Sequence, residues 1–392
     1  MTSNEIKNLD ANHVMQTYGR FDVAIDHGEG ARLYSPEGRE YIDFTSGIGV
    51  NSVGYANKKW ADAIYAQALK LGHISNLFYT EPYARLAEQL TARSGMKNVF
   101  FANAGGEANE GLIKLGRKYS HDKYGDGRAT ILTLVQSFHG RTISTLAATG
   151  QEQFHKHFFP FTDGFRHIPA NDVAALEAAL TPDVAAVMVE LIQGEGGVLP
   201  LKVEYVKQLR ELCTQRDVLF LADEVQTGVG RTGKLFAYQN YGVLPDAATF
   251  AKGIAGGLPM GGLLASEKTA TVLAAGDHAT TFGGNPIAAA AALEVLSQLS
   301  DETLKEVATK GEYVKDTIRS WNLPAVGEIR GLGLMLGVST VGVSPKEAAA
   351  KCIANGLLIL TAGSDALRML PPLTITYDEL NAGLAILKGV LQ

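Results

Sequence analysis

Two ionisable side chains stand at the ends of apolar runs in this chain. Asp223 closes Val218-Leu219-Phe220-Leu221-Ala222, and Lys252 follows Ala247-Ala248-Thr249-Phe250-Ala251. Each run reads as a buried strand, and open parallel sheets place their chemistry at the carboxyl ends of strands. Apolar walls there desolvate a lysine, disfavour its charged form and make the amine a better nucleophile. A carboxylate facing such an amine suits Schiff-base chemistry on pyridoxal 5'-phosphate. Lys252 would form the imine, and Asp223 would hold a proton on the ring nitrogen so that the ring accepts electrons. Gly253, Gly256 and Gly257 supply a tight turn behind the lysine.

Other residues with chemical potential follow the same placement. Asn103-Ala104-Gly105-Gly106-Glu107 lies between a strand and a helix, where glycines let the backbone approach an anion and the helix N-terminus offers free N–H groups. A plain turn with an asparagine cap reads equally well from this stretch alone. Phe138-His139-Gly140-Arg141 follows another strand. Phe138 can stack on a planar ring and Arg141 can hold a carboxylate in its fork; ordinary packing and a surface ion pair are the bland alternatives. His139 reads as a structural histidine. Gln193-Gly194-Glu195-Gly196-Gly197 puts a carboxylate on a flexible loop, and Arg368 precedes Met369-Leu370-Pro371-Pro372. Those two can form a switchable pair. Thr280 and Thr281 lie in a turn-rich loop that suits a phosphate contact or simple turn chemistry.

The elements that must position these groups alternate from about residue 58. Helical patterns cover 60–71 and 82–93. Strand-like runs cover 98–102, 131–136, 185–191, 218–222 and 247–251, with a helix beginning near Gly106. Such alternation implies an α/β fold with a mostly parallel sheet covered on both faces. Before it, turn signals at Gly28-Glu29-Gly30 and Pro36-Glu37-Gly38 flank two short strands of a hairpin. Beyond Pro286 an alanine-rich helix leads into a smaller α+β region. The expected division is an N-terminal segment (1–50) joining the small domain, a large cofactor-binding domain (51–285) and a C-terminal small domain (286–392).

Composition excludes several classes. The 392 residues include 46% hydrophobic and 19% charged residues and 43 glycines, the profile of a folded α/β enzyme rather than a disordered chain. The net charge of −6 comes without a basic block, so neither nucleic acid nor an anionic membrane is expected as a partner. Cys213 and Cys352 are the only cysteines, and neither has metal-type neighbours, so no metal site is expected. The first 13 residues lack an apolar signal core, and the run 287–293 is too short to span a bilayer. The expectation is a soluble, cytoplasmic protein.

With these residues assembled, the chain resembles the class III, ω-amino-acid pyridoxal phosphate aminotransferases nearly end to end. The stretches that carry the resemblance are His73-Ile74-Ser75-Asn76-Leu77-Phe78, Ser137 to Arg141, Ile192 to Gly197, Asp223-Glu224-Val225-Gln226-Thr227-Gly228 with Arg231-Thr232-Gly233, and Thr281 to Pro286. The resemblance implies fold-type I architecture and a homodimer with its active sites at the subunit interface. It implies that Lys252 carries the cofactor and Asp223 partners the pyridine nitrogen. Phe138 would stack on the ring, Gln226 would lie near the ring hydroxyl, and Glu224 and Val225 would complete that cofactor-binding stretch. Gly105 and Gly106 would bind phosphate through their backbone. Thr281 would reach the phosphate of the neighbouring subunit's cofactor, with Thr280 beside the substrate. Arg141 would take the α-carboxylate of N2-acetyl-L-ornithine, and Arg368 that of 2-oxoglutarate once Glu195 releases it. Tyr18 would close the site from the N-terminal segment. Ala104, Gly106, Tyr55 and Leu191 depart from the usual pattern at positions that tune packing.

The implied reaction moves the δ-amino group of N2-acetyl-L-ornithine to 2-oxoglutarate, as in arginine biosynthesis. Ornithine, 4-aminobutyrate and succinyl-diaminopimelate aminotransferases and a semialdehyde aminomutase would use the same machinery. A dinucleotide-dependent oxidoreductase would need G-x-G-x-x-G at the first strand-to-helix turn with an acid ~20 residues on, and Ala104-Gly105-Gly106 does not supply it. A non-catalytic relative would lack Lys252 or Asp223, and both are present.

Overall fold

The strands that deliver the two ionisable residues are buried along their whole length, as continuous apolar runs require when both faces of a sheet are covered. They belong to a seven-stranded sheet in the computed structural model, which describes residues 1–392. Its strands are β1 (Asn98–Ala102), β2 (Thr130–Leu134), β3 (Phe165–Ile168), β4 (Val184–Val189), β5 (Leu219–Asp223), β6 (Ala247–Phe250) and β7 (Gly261–Ala265). Their order is β1-β7-β6-β5-β4-β2-β3. Only β7 runs antiparallel to its neighbours; the pairs β2-β3, β2-β4, β4-β5 and β5-β6 are parallel. The expected mostly parallel α/β sheet is present.

Register explains why the acid and the amine meet. Asp223 on β5 lies opposite Thr249 on β6. Lys252 comes three residues after Thr249, so it leaves the sheet at the same edge. There the chain turns through Lys252–Ala255 into Gly256, which has φ +60°.

Helix α1 (Gly105–Tyr124) starts immediately after β1 and lies back across the sheet. Gly111 permits the close approach, since a Cβ there would sit 2.7 Å from Leu263 Cδ2. The helix is therefore pinned to the sheet, and its first turn is held at the carboxyl edge.

Strand ends differ from the sequence reading. The runs 131–136 and 185–191 are cut to β2 and β4. After β2 the backbone turns at Gln136, φ +67°. After β4 it enters a two-stranded hairpin (Ile192–Gln193, Leu199–Pro200) that carries Glu195 at its tip. Past β4 the chain stays buried through Leu191, whereas past β2 Val135 and Gln136 are exposed.

The C-terminal region builds a second, antiparallel four-stranded sheet ordered Val326–Leu332, Met335–Thr340, Ala366–Met369, Leu360–Ala362. The N-terminal strands His27–Glu29, Arg32–Tyr34 and Glu40–Asp43 form the expected hairpin pairings. Leu357–Leu358 then adds parallel to the last of them. No helix is long and apolar enough to cross a membrane.

One turn is unusual. Ser46, Gly47, Ile48 and Gly49 all have positive φ (42°, 65°, 65° and 77°), a left-handed turn in which each non-glycine residue costs about 1–2 kcal/mol. Buried Asp43 holds it. Its Oδ1 accepts from Thr45 N and Oγ1 (both 2.7 Å), and its Oδ2 accepts from Ser46 N (2.9 Å) and Tyr55 Oη (2.8 Å). Tyr55 thus serves packing through a hydroxyl. The turn delivers Val50 to the wall of the cavity described next.

Candidate active site

The carboxyl edge of the sheet opens into a cavity of about 350 Å³. Gly105 and Gly106 line it from the start of α1, Phe138 and His139 from beyond β2, and Glu190 from the end of β4. Asp223, Val225 and Gln226 enter from β5, Lys252 from beyond β6, and Glu195 from the hairpin. Most of the predicted site residues therefore come together.

Lys252 has φ +44°, a strained backbone for a side-chain-bearing residue. Burial pushes its amine below the usual lysine range, and Arg368 adds to that; Glu195, Asp223 and Glu190 pull the other way. A neutral amine is the nucleophilic form.

Asp223 is 4% exposed and saturated with donors. Its Oδ1 accepts from Val225 N (3.0 Å). Its Oδ2 accepts from Asn109 Nδ2 (2.8 Å) and lies 2.7 Å from His139 Nδ1. Thr249 Oγ1 donates to Asn109 Oδ1 (2.9 Å), which fixes the amide with its nitrogen toward the carboxylate. The network assigns the Nδ1 proton of His139 to that contact. The Asp223 carboxylate is thereby held in one orientation.

The sequence reading missed Asn109 and undervalued His139. A signal existed for Asn109, which lies four residues after Gly105 and so on the same helical face. Glu190 was missed too, although like Asp223 it ends a fully apolar run.

Phe138 is half-buried, and its ring meets Phe154 edge-on at 5.9 Å. The Arg141 guanidinium lies 4.1 Å from the Phe154 ring centroid and 5.5 Å from that of Phe138. Arg141 is exposed and makes no ion pair with any carboxylate of the chain. Arg368 is the opposite case. Its Nη1 and Nη2 reach Glu195 Oε1 (2.6 Å) and Oε2 (3.2 Å) in a bidentate pair, and Nη1 also reaches Gln226 Oε1 (3.3 Å). Burial raises the Glu195 carboxyl, but Arg368 and Lys252 more than offset that and hold it below the usual range. Nε of Arg368 is buried without a partner.

Three residues lie elsewhere. Glu224 points away from the cavity, because successive residues of an extended chain face opposite sides of a sheet. Its Oε2 accepts from Thr227 Oγ1 (2.6 Å) and Ala237 N (2.9 Å), and its Oε1 from Tyr238 N (2.8 Å). Burial pushes this carboxyl up to about 7. Glu224→Gln would set an amide N–H₂ against one of those donors, so we expect about 1–3 kcal/mol lower stability with the site chemistry intact. Denaturant unfolding followed beside half-reaction rates checks this; an unchanged midpoint would contradict it. Tyr18 is 72% exposed and borders a separate apolar hollow with Ile353 and Leu360. Thr281 is exposed outside the cavity, whereas Thr280 Oγ1 accepts from Asn103 Nδ2 (2.9 Å) at its rim.

The donor set suits pyridoxal phosphate. Lys252 offers an amine to an aldehyde, Asp223 an anion to a protonated ring nitrogen, and Phe138 an aromatic face. The N-cap of α1 is Ala104, with no side-chain hydrogen bond, so no side chain competes for the N–H groups of the first turn. A Cβ on Gly105 would come 2.6 Å from Val225 Cγ1, so glycine keeps this cradle open. The asparagine cap allowed by the sequence is not formed.

A lysine and a carboxylate released at one edge by adjacent parallel strands, with one arginine beside Phe138 and another paired to Glu195, define an aminotransferase site. The chain belongs to the class-III aminotransferase family, whose pattern matches residues 14–391. It is 53% identical over 394 residues to the acetylornithine aminotransferase of Haemophilus ducreyi, covering 100% of both chains. Among solved structures it is similar to the ornithine aminotransferase of Toxoplasma gondii with partial occupancy of PLP at its active site (TM-score 0.95, 33% identity, 100% of this chain and 94% of that one). It is also similar to the N-acetylornithine aminotransferase of Stenotrophomonas maltophilia (TM-score 0.84, 37% identity, 98% and 97%).

Proposed function

We propose that this chain is a pyridoxal-phosphate-dependent aminotransferase that moves the δ-amino group of N2-acetyl-L-ornithine to 2-oxoglutarate. The products are N-acetyl-L-glutamate 5-semialdehyde and L-glutamate. When bound, pyridoxal phosphate supplies an electron sink and carries the amino group between the two substrates. Lys252 Nζ would hold the cofactor and, once displaced by the donor amine, would take a proton from the donor's δ-carbon. Asp223, oriented by Asn109 and His139, would keep the proton on the ring nitrogen. Gly105 and Gly106 would hold the phosphate through backbone N–H groups, Phe138 would cover the ring, and Gln226 would adjoin its hydroxyl.

The observation that carries the substrate reading is the contrast between the two arginines. Arg141 is free to take the donor's α-carboxylate, while Glu195 occupies Arg368. With Arg368 neutralised, the site tolerates the uncharged acetamido tail. When Glu195 withdraws, Arg368 accepts the α-carboxylate of 2-oxoglutarate. Glu195 must be replaced as it leaves, because an unpaired buried guanidinium is costly. Glu195→Ala is therefore expected to raise activity on glutamate relative to N2-acetyl-L-ornithine; an unchanged ratio would sink the switch.

The same reading includes a homodimer, with Thr281 serving the neighbouring subunit's phosphate. The 73–79 loop is tied to the 280–286 loop by Asn76 Nδ2 donating to Gly283 O (2.9 Å) and by His73 against Phe282 (5.3 Å between rings). Together these loops expose Ile74, Leu77, Phe78 and Phe282, an apolar patch that suits a second copy. We also assign residues 1–50 to the small domain, 51–285 to the large domain and 286–392 to the small domain.

The deciding experiment is a single half-reaction of the cofactor-loaded protein, without 2-oxoglutarate. N2-acetyl-L-ornithine should bleach the visible band well ahead of ornithine and 4-aminobutyrate. Faster bleaching by ornithine would transfer the assignment to an ornithine aminotransferase, and no visible band would end the pyridoxal reading.

A further inference from the structure

Glu190 belongs to neither role assigned above, yet it stands between the two loops that meet the substrates. It follows β4 directly, is 6% exposed and lines the cavity. Its Oε1 accepts from Phe138 N (2.8 Å), and its Oε2 accepts from Gly194 N (3.2 Å). Phe138 opens the segment that presents Arg141. Gly194 immediately precedes Glu195, the partner of Arg368. We propose that Glu190 is a positioning residue that ties the donor-side loop to the acceptor-side hairpin, so that one carboxylate sets the placement of both substrate arginines. The inference rests on the aminotransferase reading.

The geometry leaves little substitute for this tie. The tip of the hairpin is pressed on Gln226, since a Cβ on Gly194 would lie 2.2 Å from Gln226 Oε1. That oxygen also accepts from Arg368 Nη1. A shift of Gly194 is therefore transmitted to Gln226 and to the Glu195–Arg368 pair together. On the other loop the neighbouring residue, His139, is fixed through its N–H to Thr149 Oγ1 (3.0 Å) and its Nδ1 to Asp223 (2.7 Å). The Phe138 amide itself is held by Glu190.

Both oxygens accept well only when the group is ionised. Three groups face it: His139 from beyond β2, Asp223 from β5 and Lys252 from beyond β6. Burial pushes the Glu190 carboxyl up to about 7; His139 opposes this and Asp223 reinforces it. The carboxylate is thus present above about 7 and lost as pH falls through it. Protonation places an O–H donor where a loop N–H points, and one end of the tie loosens.

The test uses the cofactor-loaded holoenzyme and its Glu190→Gln variant. Glutamine offers one acceptor and one N–H₂, so one loop N–H meets a donor at every pH. We expect the variant to load cofactor and react with borohydride at Lys252 as the parent does. Its KM for both N2-acetyl-L-ornithine and 2-oxoglutarate should rise about tenfold above neutral pH, with a smaller change in kcat. The parent's KM should rise as pH is lowered from about 8 to about 6, and the variant's should stay flat at the higher value. If Glu190→Gln fails to fold, Glu190→Asp serves instead: it remains titratable, and its KM should rise yet keep a pH dependence. Identical KM–pH profiles in parent and variant, or a fall in kcat at unchanged KM, would overturn the inference while leaving the aminotransferase intact. A parent that reacts with no ω-amino donor would overturn both.

Discussion

Replacing Lys252 by alanine is expected to abolish the borohydride-sensitive attachment of cofactor and to lower turnover by at least ~10³-fold. Proton transfer by a positioned group alone accounts for ~10²–10⁴-fold, and Lys252 also holds the cofactor covalently in this reading. Added cofactor should still bind through the Gly105–Gly106 turn and Asp223, but without reducible retention. Retention after borohydride would place the attachment on another amine. Stability supplies a second readout. Lys252 is largely enclosed by the cavity walls and its amine is pushed down, while in the unfolded chain it titrates near its usual ~10.4. Below that value the unfolded state binds the extra proton, so stability of cofactor-free protein rises with pH through the window beneath the ordinary lysine range. The alanine variant should lose this slope. Denaturant unfolding of cofactor-free parent and variant across that window measures the difference; equal slopes would mean that Lys252 is not held neutral.

Asp223→Asn is the second large effect. The substitution preserves shape and removes the charge that His139 and Asn109 orient. Loss of a preorganised electrostatic partner typically costs ~10²–10³-fold in rate, and we expect a fall of that size in both half-reactions. The visible band should persist, because Lys252 is untouched. That persistence separates lost chemistry from lost folding. Single-turnover bleaching by N2-acetyl-L-ornithine and by glutamate provides the test, and parental rates in both would remove Asp223 from the ring nitrogen.

Much of the site was legible because strand alternation and loop position are local properties. Lys252 and Asp223 each end a run of apolar residues, and adjacent parallel strands must release their chains at one edge. Glu195 and Arg368 were readable as a possible pair, but 173 positions separate them and no local pattern ties one to the other. The pairing itself appears in the fold, where β-register brings Arg368 on Ala366–Met369 beside the hairpin tip. Glu224 could have been excluded by the period of two: if Asp223 faces the cavity, its neighbour faces away. Tyr18 was assigned from the resemblance without any local signal, and it borders another hollow.

What the sequence determined by itself is the class of fold, the edge of the sheet where chemistry occurs, and the lysine and carboxylate that stand there. Those follow from hydrophobic period, turn residues and the burial of ionisable groups at strand ends. The tertiary structure decided which polar groups satisfy one another. Asn109, His139 and Glu190 acquire their roles from partners on other elements: Asp223 for the first two, the Phe138 and Gly194 amides for the third. Buried polar groups must find partners wherever packing offers them, and that choice depends on distances between elements, which no local pattern encodes.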